Sequence, residues 1–227
     1  MMKTISNILV EEETAHTKLI EQYKKYRQVG LKLNHRIIDI CVTHDLLMKS
    51  AQLLGINQGN KFFFDTEDES SVLMDFVLNE YRIQNKTVVD TYREKFGGKN
   101  QIEKDILDVL SSSYTSLFKV TDIVKRENTL ILQDILNKKS NIHLLDIAFS
   151  QTMEKAGRHL LFTRLIPFKY FNMTGGAALV FSSTFEQVLL RQYIKERKNV
   201  SSNNKNIKRF VAFFKLNKIY GMNVGYI

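Results

Sequence analysis

Tryptophan is absent from this 227-residue chain, and proline and cysteine occur once each. With one proline and 10 glycines, the chain is neither collagen-like nor proline-rich. A single cysteine excludes a disulfide-stapled scaffold. Cys41 sits among Ile37, Ile38, Ile40 and Val42, so it reads as a buried thiol in a reducing compartment. No stretch of 18 apolar, uncharged residues occurs, which excludes a membrane-spanning helix. The start, Met1-Met2-Lys3-Thr4-Ile5, lacks the apolar core of a signal peptide, and the expected setting is the cytoplasm.

What is present is ordinary for a folded chain: 44% apolar and 25% charged residues. A chain this long can bury roughly 70–75% of its unfolded surface. The net charge of +9 is unevenly placed. From Lys195 onward eight basic residues face one acid, Glu196, so the last 33 residues carry +7 and the body only +2. Such asymmetry fits a polyanion-facing tail, and equally a solvated end.

Apolar spacing predicts helices over 8–29, with Gly30 as a stop, and over 33–54, ended by Gly55. His44 falls on the apolar stripe of the second helix. Asp65-Thr66-Glu67-Asp68-Glu69 follows an apolar run at Phe62-Phe63-Phe64 and reads as the capped start of a helix carrying Leu73, Phe76, Val77 and Tyr81. Helices are expected over 86–96 and from Ile102, separated by Gly97-Gly98. From Ser113 the period changes, giving short strands over 116–124, 129–136, 142–149, 159–167 and 177–182. Five such strands suggest a small antiparallel β-barrel. Helical spacing returns over 185–197 and 206–219, across a polar linker at 200–204. The fold class is α+β: a helical region over 1–112, the barrel over 113–185, and a C-terminal helix with a basic extension over 186–227.

Several segments resemble an uncharacterised group of bacterial proteins that join a helical N-terminal half to a small β module. These are Leu53-Leu54-Gly55, Phe63 to Glu69, Leu73-Met74-Asp75-Phe76, Glu80-Tyr81, Leu132 to Leu136, and Phe171 to Ala177. They occur in order over roughly residues 50–185. The resemblance implies this fold and a cytoplasmic, bacterial origin, and it carries no catalytic residue. Some members of that group bear a cysteine-rich SEC-C type zinc motif, which a chain with only Cys41 lacks.

Candidate chemistry is sparse. At about 100° per residue, His35 and His44 point to opposite sides of a helix, so His35, Asp39, Cys41, His44 and Asp45 do not converge on one ion. His35 and Asp39 read as a surface pair. Asp65, Glu67, Asp68 and Glu69 lack EF-hand spacing. Gly97-Gly98-Lys99-Asn100 lacks the first glycine and the Ser or Thr of a phosphate loop. Gly175-Gly176 at a strand entry suits a sharp barrel corner, a bulge, or close approach to a ligand. No residue nominates itself as catalytic, and no metal or cofactor is expected.

The feature with a mechanism is the basic end. On a helix from Lys205, the residues Ile207, Phe210, Val211, Phe213 and Phe214 span one side, while Lys205, Lys208, Arg209, Lys215 and Lys218 occupy the other. Such a helix binds nucleic-acid phosphates, an anionic membrane surface or an acidic partner, or it docks on its own body. The barrel adds Lys119, Lys125, Arg126, Lys138, Lys139, Arg158 and Arg164. The leading reading is a non-enzymatic binding or adaptor protein with a nucleic-acid partner, those five residues forming its contact. An enzyme or ligand receptor with a pocket between helices and barrel is the alternative; Gly175, Gly176 and the 65–69 segment would line it. A homo-oligomer with an exchanged aromatic tail is the third.

Overall fold

The computed structural model describes residues 5–222, and the side chains of residues 14–222. Helix α1 (Ile5–Cys41) runs straight through Gly30 instead of stopping there. A mid-helix glycine costs about 1 kcal/mol against alanine. The packing does not require the glycine: a Cβ there would sit 3.9 Å from Ile106 Cδ1, an ordinary contact. The break comes after Cys41, where Thr43 Oγ1 accepts from Leu46 N–H and caps α2 (His44–Leu54). Gly55, at φ 76°, ends α2 in the left-handed conformation the sequence implied. His44 therefore lies in the exposed first turn of α2, off its buried face, with Nε2 3.2 Å from Asn60 Oδ1.

Strands β1 (Asn57–Gln58) and β2 (Lys61–Phe62) form a small antiparallel hairpin. Next come α3 (Asp68–Asn79), α4 (Val88–Phe96) and α5 (Gln101–Ser112). The Gly97-Gly98 break is steric as well as conformational. A Cβ on Gly98 would fall 2.5 Å from Lys104 N, so only glycine lets α4 turn so closely onto α5.

Strands β3 (Tyr114–Val124), β4 (Thr129–Asp134), β5 (Lys139–Leu145), β6 (His159–Pro167) and β7 (Asn172–Ser182) close into a barrel in the order β3-β4-β5-β7-β6. Four of the neighbouring pairs are antiparallel, and the closing pair is parallel, meeting at Leu144 and Asn172. The stretch expected as one strand over 142–149 divides, because Asp146 Oδ1 accepts from Phe149 N–H and starts the short helix α6 (Ile147–Thr152). Strand β7 begins five residues earlier than expected, and Gly175 and Gly176 lie inside it. Opposite them, Thr163 pairs with Ala178 and Leu165 with Thr174, so β7 carries two extra residues there as a bulge.

Alternation along the strands separates two faces. Phe118, Val120, Leu130, Leu132, Leu144, Leu161 and Val180 fill the barrel. Leu117, Leu160, Phe162, Leu179 and Phe181 point outward and share one apolar core with the helices. Helices α7 (Glu186–Asn199) and α8 (Lys205–Tyr220) complete the molecule, giving a mixed α+β fold with helices at both ends. Helix α8 is a core element. Its Phe213 stacks on Phe162 at 4.4 Å and on Tyr193 at 4.8 Å, and Phe210 lies 5.1 Å from Phe76.

Candidate ligand cavity

One cavity of about 440 Å³ opens between the N-terminal helices and the barrel. Helix α1 contributes Asn34, His35 and Ile38 from consecutive turns, and α3 contributes Ser71, Met74, Asp75 and Leu78. The third wall is the β7 bulge, Gly175 to Ala177, over Arg164 and Ile166 of β6. The bulge brings bare backbone to the cavity. A Cβ on Gly175 would lie 3.2 Å from Arg164 Cβ and 3.4 Å from Asp75 Oδ1, and Gly176 adopts φ 100°. Thus Gly175 makes room for an ion pair, and Gly176 supplies a backbone turn that other residues rarely adopt.

That ion pair is the floor of the site. Arg164, 3% exposed, donates from Nε to Asp75 Oδ1 at 2.9 Å and from NH2 to Glu80 Oε1 at 2.7 Å. NH1 donates to Ser113 Oγ, and Thr115 Oγ1 donates to Glu80. Burial opposes the charged guanidinium, but the two carboxylates more than offset it and raise the Arg164 pKa above the ordinary arginine value. Two carboxylates thus share one guanidinium. Glu80 is sealed in, whereas Asp75 reaches the cavity: its Oδ1 accepts from Asn79 as well, and its Oδ2 has only a long 3.4 Å contact from Arg164. A hydrogen-bond acceptor facing apolar walls is the chemically distinctive feature of the cavity.

A second arginine pins the bulge from the α1 side. Arg27 donates to Thr174 O at 2.8 Å and pairs with buried Asp146 at 3.1 Å, while Thr174 Oγ1 donates to the same carboxylate. The bulge is therefore held from one side by buried Arg164 and from the other by partly exposed Arg27 on buried Asp146.

Residues 17–227 match the model described as a family of unknown function, DUF7986. The chain belongs to that family. No curated protein and no solved structure matches it. In this member of DUF7986, segments on which the resemblance rested meet at the cavity and its floor: Asp75 and Gly175-Gly176-Ala177 line it, and Glu80 lies sealed beneath on Arg164. Arg164, which joins them, stood in the sequence only as one basic barrel residue among seven. The pattern of β6 marks both its faces as apolar, with the arginine inside that run, and a buried arginine demands carboxylates. That signal was available in the sequence and its partners were not.

The five basic residues of α8 do not form one free face. Arg209 turns inward, donating from NH1 to Thr115 O at 2.7 Å. Lys218 pairs with Asp65 and Glu69, each at 2.6 Å, and these contacts raise its pKa despite partial burial. Lys205, Lys208 and Lys215 make no ion pair among the described residues. The acidic segment meant to cap α3 does something further. Glu67 makes no side-chain cap, and Glu69 reaches back to accept from Asp65 N–H at 2.9 Å. It is the seat of α8's last turn and lies off the cavity, where Ser70 and Ser71 stand in its place. His35 is exposed on the cavity rim. Cys41 is half-buried, and burial pushes its thiol pKa up, against weak help from Lys95, which makes it a poor nucleophile.

Proposed function

We propose that this is a small-molecule-binding protein, whose ligand occupies the cavity between α1, α3 and the β7 bulge. The observation that carries the reading is the pairing of a roomy, mainly apolar cavity with one inward-facing carboxylate, Asp75, held on a buried arginine. An apolar body with a hydroxyl or amine head fits that chemistry: the head donates to Asp75 Oδ2, and the body covers Ile38, Met74 and Leu78. The setting proposed with it is the bacterial cytoplasm. The test is a thermal-shift screen with a chemically diverse compound set, repeated on Ser71→Trp, which plugs the mouth from an exposed position. Ligands at about 100 times Kd stabilise by about 2.7 kcal/mol, raising Tm by roughly 5–10 °C in a chain of this size. Those shifts disappear in Ser71→Trp and shrink in Asp75→Asn. Shifts that survive the plug, or a screen with none, overturn the reading. Arg164 is the wrong residue to change, since stripping it from two buried carboxylates costs about 3–5 kcal/mol of stability.

A second reading keeps a polyanion, with nucleic acid as its source. It is favoured by the α7–α8 hairpin, where Lys195, Arg197, Lys198 and Lys205 are exposed and make no ion pair among the described residues.

A further inference from the structure

Another cavity, of about 280 Å³, lies between α1, α5 and the β6–β7 connection. Its walls are aromatic. Phe168 and Phe171 stack at 5.1 Å, and Tyr26 stands edge-on to Phe168 at 5.0 Å, the planes 83° apart. Tyr170 completes the rim at 65% exposure, which no core-packing role explains. Two carboxylates of α5 close the remaining side. Asp105 accepts from Tyr26 Oη at 2.7 Å, whereas the Asp108 side chain is 74% exposed, with a 3.9 Å contact to Arg93. Burial, and then Asp105, raise the Tyr26 pKa, so this ring stays a neutral phenol.

Phe168 and Phe171 spend one face each on their own stack, so the open ring is chiefly Tyr170, and with the two carboxylates it is complementary to a cation with a greasy surface. The protein already displays the interaction: Lys169 Nζ lies 5.0 Å over the Tyr170 ring. Among the described residues Lys169 is the one cation on the pocket wall, against two carboxylates. We propose that this aromatic pocket binds a small organic ammonium compound, with Tyr26, Phe168, Tyr170 and Phe171 supplying ring contacts and Asp108 the counter-charge. A methylated ammonium suits it better than a bare one, because less hydration is lost on entry. The pocket shares no wall residue with the Asp75 cavity, and this proposal stands apart from the reading given there.

Choline serves as the probe, and 3,3-dimethyl-1-butanol, the same shape without the charge, as the control, both titrated by ligand-observed NMR. Saturable choline binding is expected, about fivefold or more tighter than the alcohol. Tyr170→Ala and Asp108→Asn, at exposed positions, each weaken choline about two- to fivefold without lowering Tm, and Tyr170→Phe restores it. Lys169→Met, which removes the repelling cation, tightens choline. Absence of saturable binding, equal binding of the uncharged isostere, or an affinity unmoved by both Tyr170→Ala and Asp108→Asn overturns the proposal.

Discussion

Glu103 stands at the third position of α5, where its N–H donates to Asn100 Oδ1. Its carboxylate accepts from Lys99 N–H at 2.8 Å and pairs with Arg36 at 2.6 Å, tying the start of α5 to α1. Burial alone would raise the Glu103 pKa, but the Arg36 and Lys99 contacts outweigh it and leave it below the usual 4.5. A carboxyl depressed in the folded state adds stability above its unfolded pKa, and that stability is lost as pH falls through the folded value. Urea unfolding at about pH 7 and about pH 3 should therefore show a smaller loss for Glu103→Gln than for the wild type, and equal losses would remove this role. The break between α4 and α5 was legible in Gly97-Gly98, whereas the arginine that completes the clamp lies 67 positions from Glu103 and was not. The same divide runs through the cavity. Gly175 and Gly176 suited a barrel corner first and a bulge or close approach second, and pairing between β6 and β7 makes them a bulge inside the strand. Which side chain came close, Arg164, depended on pairing between β6 and β7.

Helix α8 shows the same divide over a whole element. Its apolar residues Ile207, Phe210, Val211, Phe213 and Phe214 were evident from spacing, and Ala212 and Leu216 are buried with them. The buried arc is too broad for a helix resting on a surface, and α8 packs against α7, the outer wall of β7 and the α2–α3 region. Phe213→Ala should cost about 3–5 kcal/mol in urea unfolding, the range for deleting a buried phenylalanine. A cost under about 1 kcal/mol would mean that α8 docks loosely. Removing residues 200–227 strips the core of Phe210, Phe213 and Phe214, so truncation tests folding before it tests any partner. Helix α1 makes the converse point. Gly30 carried a local stop signal, and α1 continues through it because the helix is held along its length against α4 and α5.

At the scale of the molecule, one apolar core joins residues as distant as Leu33, Phe162 and Phe214, so the helical ends and the barrel hold one another in place. The charge excess stays where composition put it, on the last 33 residues, but the fold divides it: Arg209 and Lys218 are committed to internal contacts, and the α7–α8 hairpin is left as the cationic end. If duplex DNA is the partner, log K falls against log salt by about 0.9 for each phosphate neutralised. Replacing Arg197, Lys198 and Lys205 together by glutamine should flatten that slope by up to about 3, leaving the thermal midpoint in place. Salt-independent binding, or the same slope in the triple variant, would end the polyanion reading. The sequence alone determined what depends on near neighbours: the change of period at Ser113, the stop at Gly55, the α+β class and the uneven charge. Only the tertiary structure decided what depends on long-range pairing: the parallel closure of the barrel, the inward turn of Arg209, and the meeting of Asp75, Glu80 and Arg164 beneath a bulge. Periodicity tells which face of an element is buried, but the partner across that face is set by how the elements pack.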